Sequence, residues 1–217
     1  IAPNYEVVHS FRESLALVMK KSKYGFIDKN GNEVIPLKYD YATPFREGLA
    51  LVMKKSKYGF IDKNGNEVIP LKYDYATPFR ESLAHVMKKC KHGFIDKNGN
   101  EVIPPKYDNA TCFREGLALV MIKWNKGFIN KSGEEVIVPK YEEAFSFNEG
   151  LAHVFKTGKS GFIDKSGNEV IPVKYDYATR FNDGLTAVTI NGEWSILDKN
   201  GTEIIAPKCD NVHILSH

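Results

Sequence analysis

An all-β tandem-repeat fold is predicted for this 217-residue chain by three observations. First, a segment of the form Lys57-Tyr-Gly-Phe-Ile-Asp-Lys-Asn-Gly-Asn-Glu-Val-Ile-Pro70 recurs, with copies starting at Lys23, Lys57, Lys91, Asn125, Lys159 and Glu193, always 34 residues apart. A fixed period of this size marks stacked units, none of which can bury its apolar face alone. Second, short apolar runs alternate with turn residues every roughly 8–12 positions, the rhythm of strands. Third, no stretch keeps a helical apolar period for long enough to compete. The expected unit is a three-strand meander, and the expected assembly is an open solenoid-like array. A six-bladed propeller-like ring is the alternative.

The repeat frame runs without insertion or deletion. Residues 1–10 align with 35–44 and form a partial repeat; the chain opens in mid-unit at Ile1, with no initiator Met. Six tandem repeats over 11–214 begin at Phe11, Phe45, Phe79, Phe113, Phe147 and Phe181, and 215–217 is a C-terminal stub. In the unit from Phe45, Phe45-Arg-Glu-Gly48 is read as a turn that delivers the chain into a first strand over 49–54. Lys55-Ser-Lys57 is a polar turn, and 58–62 is the second strand. The next turn, 63–66, holds Asn64-Gly65, a pair suited to type I′ because both central residues need positive φ. A third strand covers 67–69. Pro70 is expected to end pairing, since it has no N–H for a ladder. A connector then carries Lys72-Tyr73-Asp74.

Equivalent slots within the chain show where the fold is strict. The Phe60 slot holds Phe26, Phe94, Phe128, Phe162 and Ile196, and its neighbour Ile61 is matched by Ile27, Ile95, Ile129, Ile163 and Leu197. Val68 and Ile69 also have apolar counterparts throughout. Successive strand residues face opposite ways, so strict apolar character at neighbours implies burial on both faces. Ala50 and Val52 are read as inward. Between them, the Leu51 slot varies through Leu17, His85, Leu119, His153 and Ala187, and is read as facing solvent or a partner.

Bulk composition excludes several classes. The net charge is only +3, from 30 basic and 27 acidic residues, which gives no global pull towards nucleic acid or a membrane surface. No apolar run approaches the ~18 residues of a membrane span. The hydrophobic fraction of 42% argues for a folded chain. Cys90, Cys112 and Cys209 fall at three different places in the repeat, whereas a disulfide or zinc framework would reuse its slots.

The combination Gly-Phe-Ile-Asp-x-x-Gly, Val-Ile-Pro-x-x-Tyr-Asp and Phe-x-x-Gly-Leu-Ala with a closing Val resembles the bacterial WG (or KWG) repeat family over essentially the whole chain. The slot of the family's Trp holds Tyr24, Tyr58, His92, Lys126, Ser160 and Trp194, and Trp194 is followed by Ser195. The resemblance implies a modular β-repeat array that mediates binding, with no shared catalytic residues; no cofactor is expected.

Individual residues lead to the same expectation. Asp62-Lys-Asn-Gly-Asn-Glu67 clusters oxygen donors, but a hard cation needs six to eight oxygens from a loop that wraps it. Turn building by Asp62 is the simpler role. His85 and His153 share a slot two units apart, with Leu119 between, so no metal site is expected there. No nucleophile–base pair, phosphate-cradling glycine loop or unique acidic pair is present, and no enzyme is expected. The lysines around Lys54, Lys55 and Lys57 and their copies are read as keeping strand edges soluble. Tyr24, Tyr58, His92 and Trp194 form one aromatic series, and Tyr41, Tyr75 and Tyr177 another; both are read as covering the rim of the core, with stacking on sugar rings as the alternative. The expected function is non-enzymatic protein–protein interaction or scaffolding, with a repetitive polymer such as a cell-envelope glycan as the alternative. The candidate contact residues are Leu51, His85, Leu119, His153, Tyr24, Tyr58, His92 and Trp194.

Overall fold

Each 34-residue period folds into one four-stranded antiparallel sheet, with its strands side by side in chain order. The computed structural model describes residues 5–205, so Cys209, His213, His217, the stub and the end of the sixth repeat lie outside the described residues. The chain divides into two units, 1–107 and 108–217. In the first unit, one sheet comprises β1 (Val7–Val8), β2 (Ala16–Lys20), β3 (Lys23–Ile27) and β4 (Glu33–Tyr39). The next comprises β5 (Tyr41–Ala42), β6 (Ala50–Lys54), β7 (Lys57–Ile61) and β8 (Glu67–Tyr73). A third sheet spans 75–107. The second unit holds three sheets of the same order over 109–141, 143–175 and 177–205. No described residue is helical. The expected meander is therefore present, and the stretch read as a connector adds a short outer strand: Tyr41 and Ala42 pair with Met53 and Val52.

The type I′ turn sits in a different hairpin from the one expected. In 62–66, Gly65 has φ 81° and Asn64 stays outside the left-handed region. Gly65 N–H donates to Asp62 O at 3.0 Å and Asp62 N–H to Asn66 O at 3.0 Å, the pattern of a type I turn closed by a left-handed glycine. Asp62 builds this turn as expected. Its Oδ1 accepts from Asn64 N–H and Asn66 N–H, and its Oδ2 accepts from Asn66 Nδ2, each at 2.9 Å. The two-residue turn with positive φ at both positions is Lys55-Ser56 (52° and 59°), between β6 and β7. Arg46-Glu47-Gly48-Leu49 closes in the same way, with φ 54° and 88° at its centre.

Pro70 does not end the sheet. It lies inside β8, where the ladder is bulged: Phe60 pairs with Ile69 and Tyr58 with Tyr73, so one residue of β7, Gly59, faces three of β8. A proline costs nothing at a position with no ladder bond to give. The bulge also explains Gly59. A Cβ there would sit 2.5 Å from Ile69 O and 2.9 Å from Pro70 C, because the bulged backbone crosses directly over it. Leu71, carried by the bulge, packs against the cluster on that face.

Within each unit the core lies between successive sheets. Phe60 joins a cluster with Leu49, Leu51, Ile69, Tyr73, Phe79, Ala84 and Val86, whereas its neighbour Ile61 joins one with Leu17, Phe26, Ile35, Phe45, Ala50 and Val52. The central strand is thus buried on both faces, as expected. Phe60 meets Phe79 of the following sheet at a ring distance of 4.8 Å. The contact recurs as Phe26–Phe45, Phe128–Phe147 and Phe162–Phe181, each at 4.8–4.9 Å. Such pairs contribute about 0.5–1.5 kcal/mol each beyond burial. Two sequence readings need correction. Val68 is 38% exposed, because the bulge beside it leaves only Ile69 facing the core. Leu51 is 2% exposed, because it faces the following sheet and not solvent.

Polar clasps tie consecutive sheets within each unit. Glu13 accepts from Gly48 N–H at 3.2 Å and pairs with Lys63 at 3.2 Å. Glu115 does the same with Gly150 N–H (3.0 Å) and Lys165 (3.2 Å). Asp40 bonds Lys23 Nζ at 2.5 Å and caps the Lys55 turn through its N–H at 2.8 Å; Asp74 repeats this with Lys57 and Lys89. As exposed, solvent-screened pairs they set register more than they supply stability.

Candidate functional site

The residues proposed from the sequence fall into two groups. The Leu51 slot is interior: Leu51, His85 and His153 are buried and Leu119 is half-buried. Variation there occurs at an interior position, not on a solvent face. His85 was accommodated together with His92, whose Nδ1 lies 2.7 Å from His85 Nε2. His153 lies among Phe145, Phe155 and Phe162, with ring centroids at 5.3, 4.6 and 5.0 Å. Burial, followed by the Arg180 charge, pushes its imidazole down to about 4, and its Nε2 has no protein partner.

The second group is at the surface. Tyr24, Tyr58, His92 and Trp194 are half-buried, and the other series, Tyr41, Tyr75 and Tyr177, is exposed. In the first unit the two series interleave into one continuous row. Tyr24 meets Tyr41 at 6.1 Å, Tyr41 meets Tyr58 at 6.4 Å, and Tyr58 meets Tyr75 at 5.9 Å, all edge to face. Strand pairing explains the arrangement within a sheet, since Met53 of β6 pairs with Tyr41 on one side and Tyr58 on the other. The bases of Tyr24 and Tyr58 rest on the core, which fixes ring positions at little entropic cost. The Lys23–Asp40 and Lys57–Asp74 pairs involve the residues just before Tyr24, Tyr41, Tyr58 and Tyr75, so charged pairs flank the row.

In the second unit the row is interrupted. Lys126 takes the Tyr58 slot and pairs with Glu143 at 2.6 Å, and Ser160 is buried. Tyr177 and Trp194 restore an edge-to-face pair at 5.9 Å in the last sheet.

Two further features escaped the sequence reading. Trp124, in the slot of Ser56, is 80% exposed and has φ 73° at a hairpin tip. A solvent-open cavity of about 440 Å³ in the second unit is lined by residues that include Arg114, Phe145, Ser146 and Arg180. The signal for both was the same. Phe145 replaces Thr43 and Thr77, and Arg180 replaces Pro44 and Pro78, in a chain whose segments 21–54 and 55–88 differ at only two positions.

Seven segments, 1–24, 24–58, 58–89, 93–123, 127–159, 161–194 and 194–216, match the family model described as WG containing repeat. The chain belongs to this family. None of the curated proteins matches it. Among solved structures it is similar to one described as the eukaryotic initiation factor (TM-score 0.53, 13% identity, 88% of this chain and 62% of that one). It is also similar to Hsv2p of Kluyveromyces lactis (TM-score 0.50, 9% identity, 88% and 73%). At such identity the likeness concerns the fold alone.

Proposed function

We propose that this chain, a WG-repeat protein, is a non-enzymatic module that binds a protein partner through the tyrosine row of its first unit. The observation that supports this is the continuous Tyr24–Tyr41–Tyr58–Tyr75 ladder, with Tyr41 and Tyr75 more than two-fifths exposed. Tyrosine provides large, rigid contact area with a polar tip, which is why it concentrates at binding hot spots. The edge-to-face packing supports a protein partner over a glycan. Rings tilted by 62–66° shade one another's faces, whereas sugar stacking needs open faces.

The test is affinity capture with wild-type and Y41S/Y75S chains, followed by a Kd for the captured protein in purified form. At least a tenfold loss of affinity in the variant, with an unchanged circular dichroism spectrum, is expected. Equal affinity would overturn the assignment of this face, and binding on a glycan array that is lost in the variant would transfer it to a polysaccharide.

A further inference from the structure

We propose that the second unit contains a binding site for the oxyanion group of a small molecule, in the cavity lined by Thr111, Arg114, Phe145, Ser146, Asn148 and Arg180. The inference rests on different residues from the tyrosine row and stands independently of it.

Its first support is electrostatic. Two arginines are among the lining residues, and none of the lining residues is acidic. Glu115, next to Arg114 in sequence, is already held by Gly150 N–H and Lys165. Arg180 is oriented by stacking, with its Cζ 4.7 Å from the Phe145 ring centroid. A stacked guanidinium keeps its N–H edge for a planar or tetrahedral oxyanion.

The second support is an orphan polar atom beside the cavity. A void of about 10 Å³ adjoins the cavity, shares Phe145, Ser146, Asn148 and Arg180 with it, and is bounded by His153. His153 is 6% exposed, and its Nε2 has no protein partner. Leaving a buried ring nitrogen unpaired is destabilising. A ligand oxygen entering this void would give it a partner.

The remaining polar groups set the geometry. Asn148 Nδ2 is spent on Phe181 O at 3.0 Å, and Thr111 Oγ1 accepts from Leu119 N–H at 3.2 Å. Ser146 Oγ lies 3.4 Å from Thr111 Oγ1, so a modest hydroxyl rotation would turn it into the cavity. The groups on offer are thus the Arg180 guanidinium, Arg114, the Ser146 hydroxyl and, at the adjoining void, the His153 imidazole. That set suits an anion with several oxygens.

The experiment uses the full chain. His153 ring resonances are followed by NMR while inorganic phosphate, or in a separate arm acetate, is added at constant ionic strength, and calorimetry measures the same affinities. A saturable His153 shift with phosphate assigns a phosphoryl group, and one with acetate assigns a carboxylate. R180S, which installs the residue found at Ser146 one repeat earlier, should weaken binding at least tenfold. H153L, which installs the residue of the Leu51 slot, should weaken it by calorimetry while keeping the fold. R80S, at an arginine outside the cavity, should leave it unchanged. No saturable response to either anion would overturn the proposal, and so would equal weakening by R80S and R180S.

Discussion

His85 Nε2 lies 2.7 Å from His92 Nδ1, and the two rings stack with centroids 4.9 Å apart. One ring must donate and the other accept, so the pair is satisfied when neutral and has no room for two protons. The equivalent positions one repeat earlier are Leu51 and Tyr58.

This pair makes stability pH-dependent. Burial, then the neighbouring His92, pushes His85 down to about 4, and burial also lowers His92. The other rings against His85 are Tyr75 and Phe94, neither of which offers a carboxylate to hold a proton. A free imidazole in the unfolded chain titrates near 6.5. The unfolded state therefore binds the proton first, so the stabilisation is complete above about 6.5 and is lost as pH falls towards about 4. H85L/H92Y should remove a slope of up to about 1.4 kcal/mol per pH unit for each of the two imidazoles in this window. His153, lowered in the same way, leaves a residual slope. Urea midpoints at pH 7 and pH 5 provide the check. An unaltered difference between them in the variant would refute the assignment.

Ser82 and Trp124 hold left-handed backbone, with φ 71° and 73°, where other repeats use glycine: Gly48 at 88° and Gly158 at 70°. A side-chain-bearing residue pays about 1–2 kcal/mol in that region. S82G and W124G should therefore each raise stability by about 1 kcal/mol, and G48S should lower it by a similar amount. For W124G little burial is lost, since the indole is 80% exposed. Denaturation midpoints should move with an unchanged m-value. A destabilised S82G would show that the hydroxyl contributes more than the backbone strain costs.

Gly59 has a stricter reason to be glycine. Its φ is ordinary, but a methyl group would meet Ile69 O at 2.5 Å and Leu71 N at 2.8 Å, both backbone atoms that cannot swing aside. G59A should cost about 3 kcal/mol or more, well beyond the effect at the turn glycines. By contrast G48A meets no atom within 4 Å and should cost only the φ penalty. Comparing the two variants by thermal unfolding separates close backbone approach from φ strain, and equal losses would deny the bulge its role.

Much of the fold was legible because the repeat was its own comparison set. Phe60 and Ile61 stay apolar in all copies, and that alone implied burial on both faces. The same logic failed at Leu51, where change to His was read as exposure although the slot is interior. His85 enters the slot beside a changed neighbour, His92, and single-residue patterns do not reveal such a paired change. Asn64-Gly65 was read as the type I′ turn because the dipeptide suits it. Lys55-Ser56 adopts that geometry without favourable residues, since Asp40 caps the Lys55 N–H from the preceding connector. The tyrosine row was visible as two separate series, but their interleaving depends on strand pairing and on contacts between sheets.

Period, turn residues and strict apolar slots determined by themselves that the chain forms tandem antiparallel sheets. These are local properties, repeated often enough to outvote each exception. Tertiary structure alone decided where Pro70 fits, why Gly59 has no side chain, which face Leu51 occupies, and that Phe145, Arg180 and His153 border one small void. Each of those depends on what lies across a bulge or on the facing sheet, and a linear pattern carries no record of the neighbour that fills the opposite side.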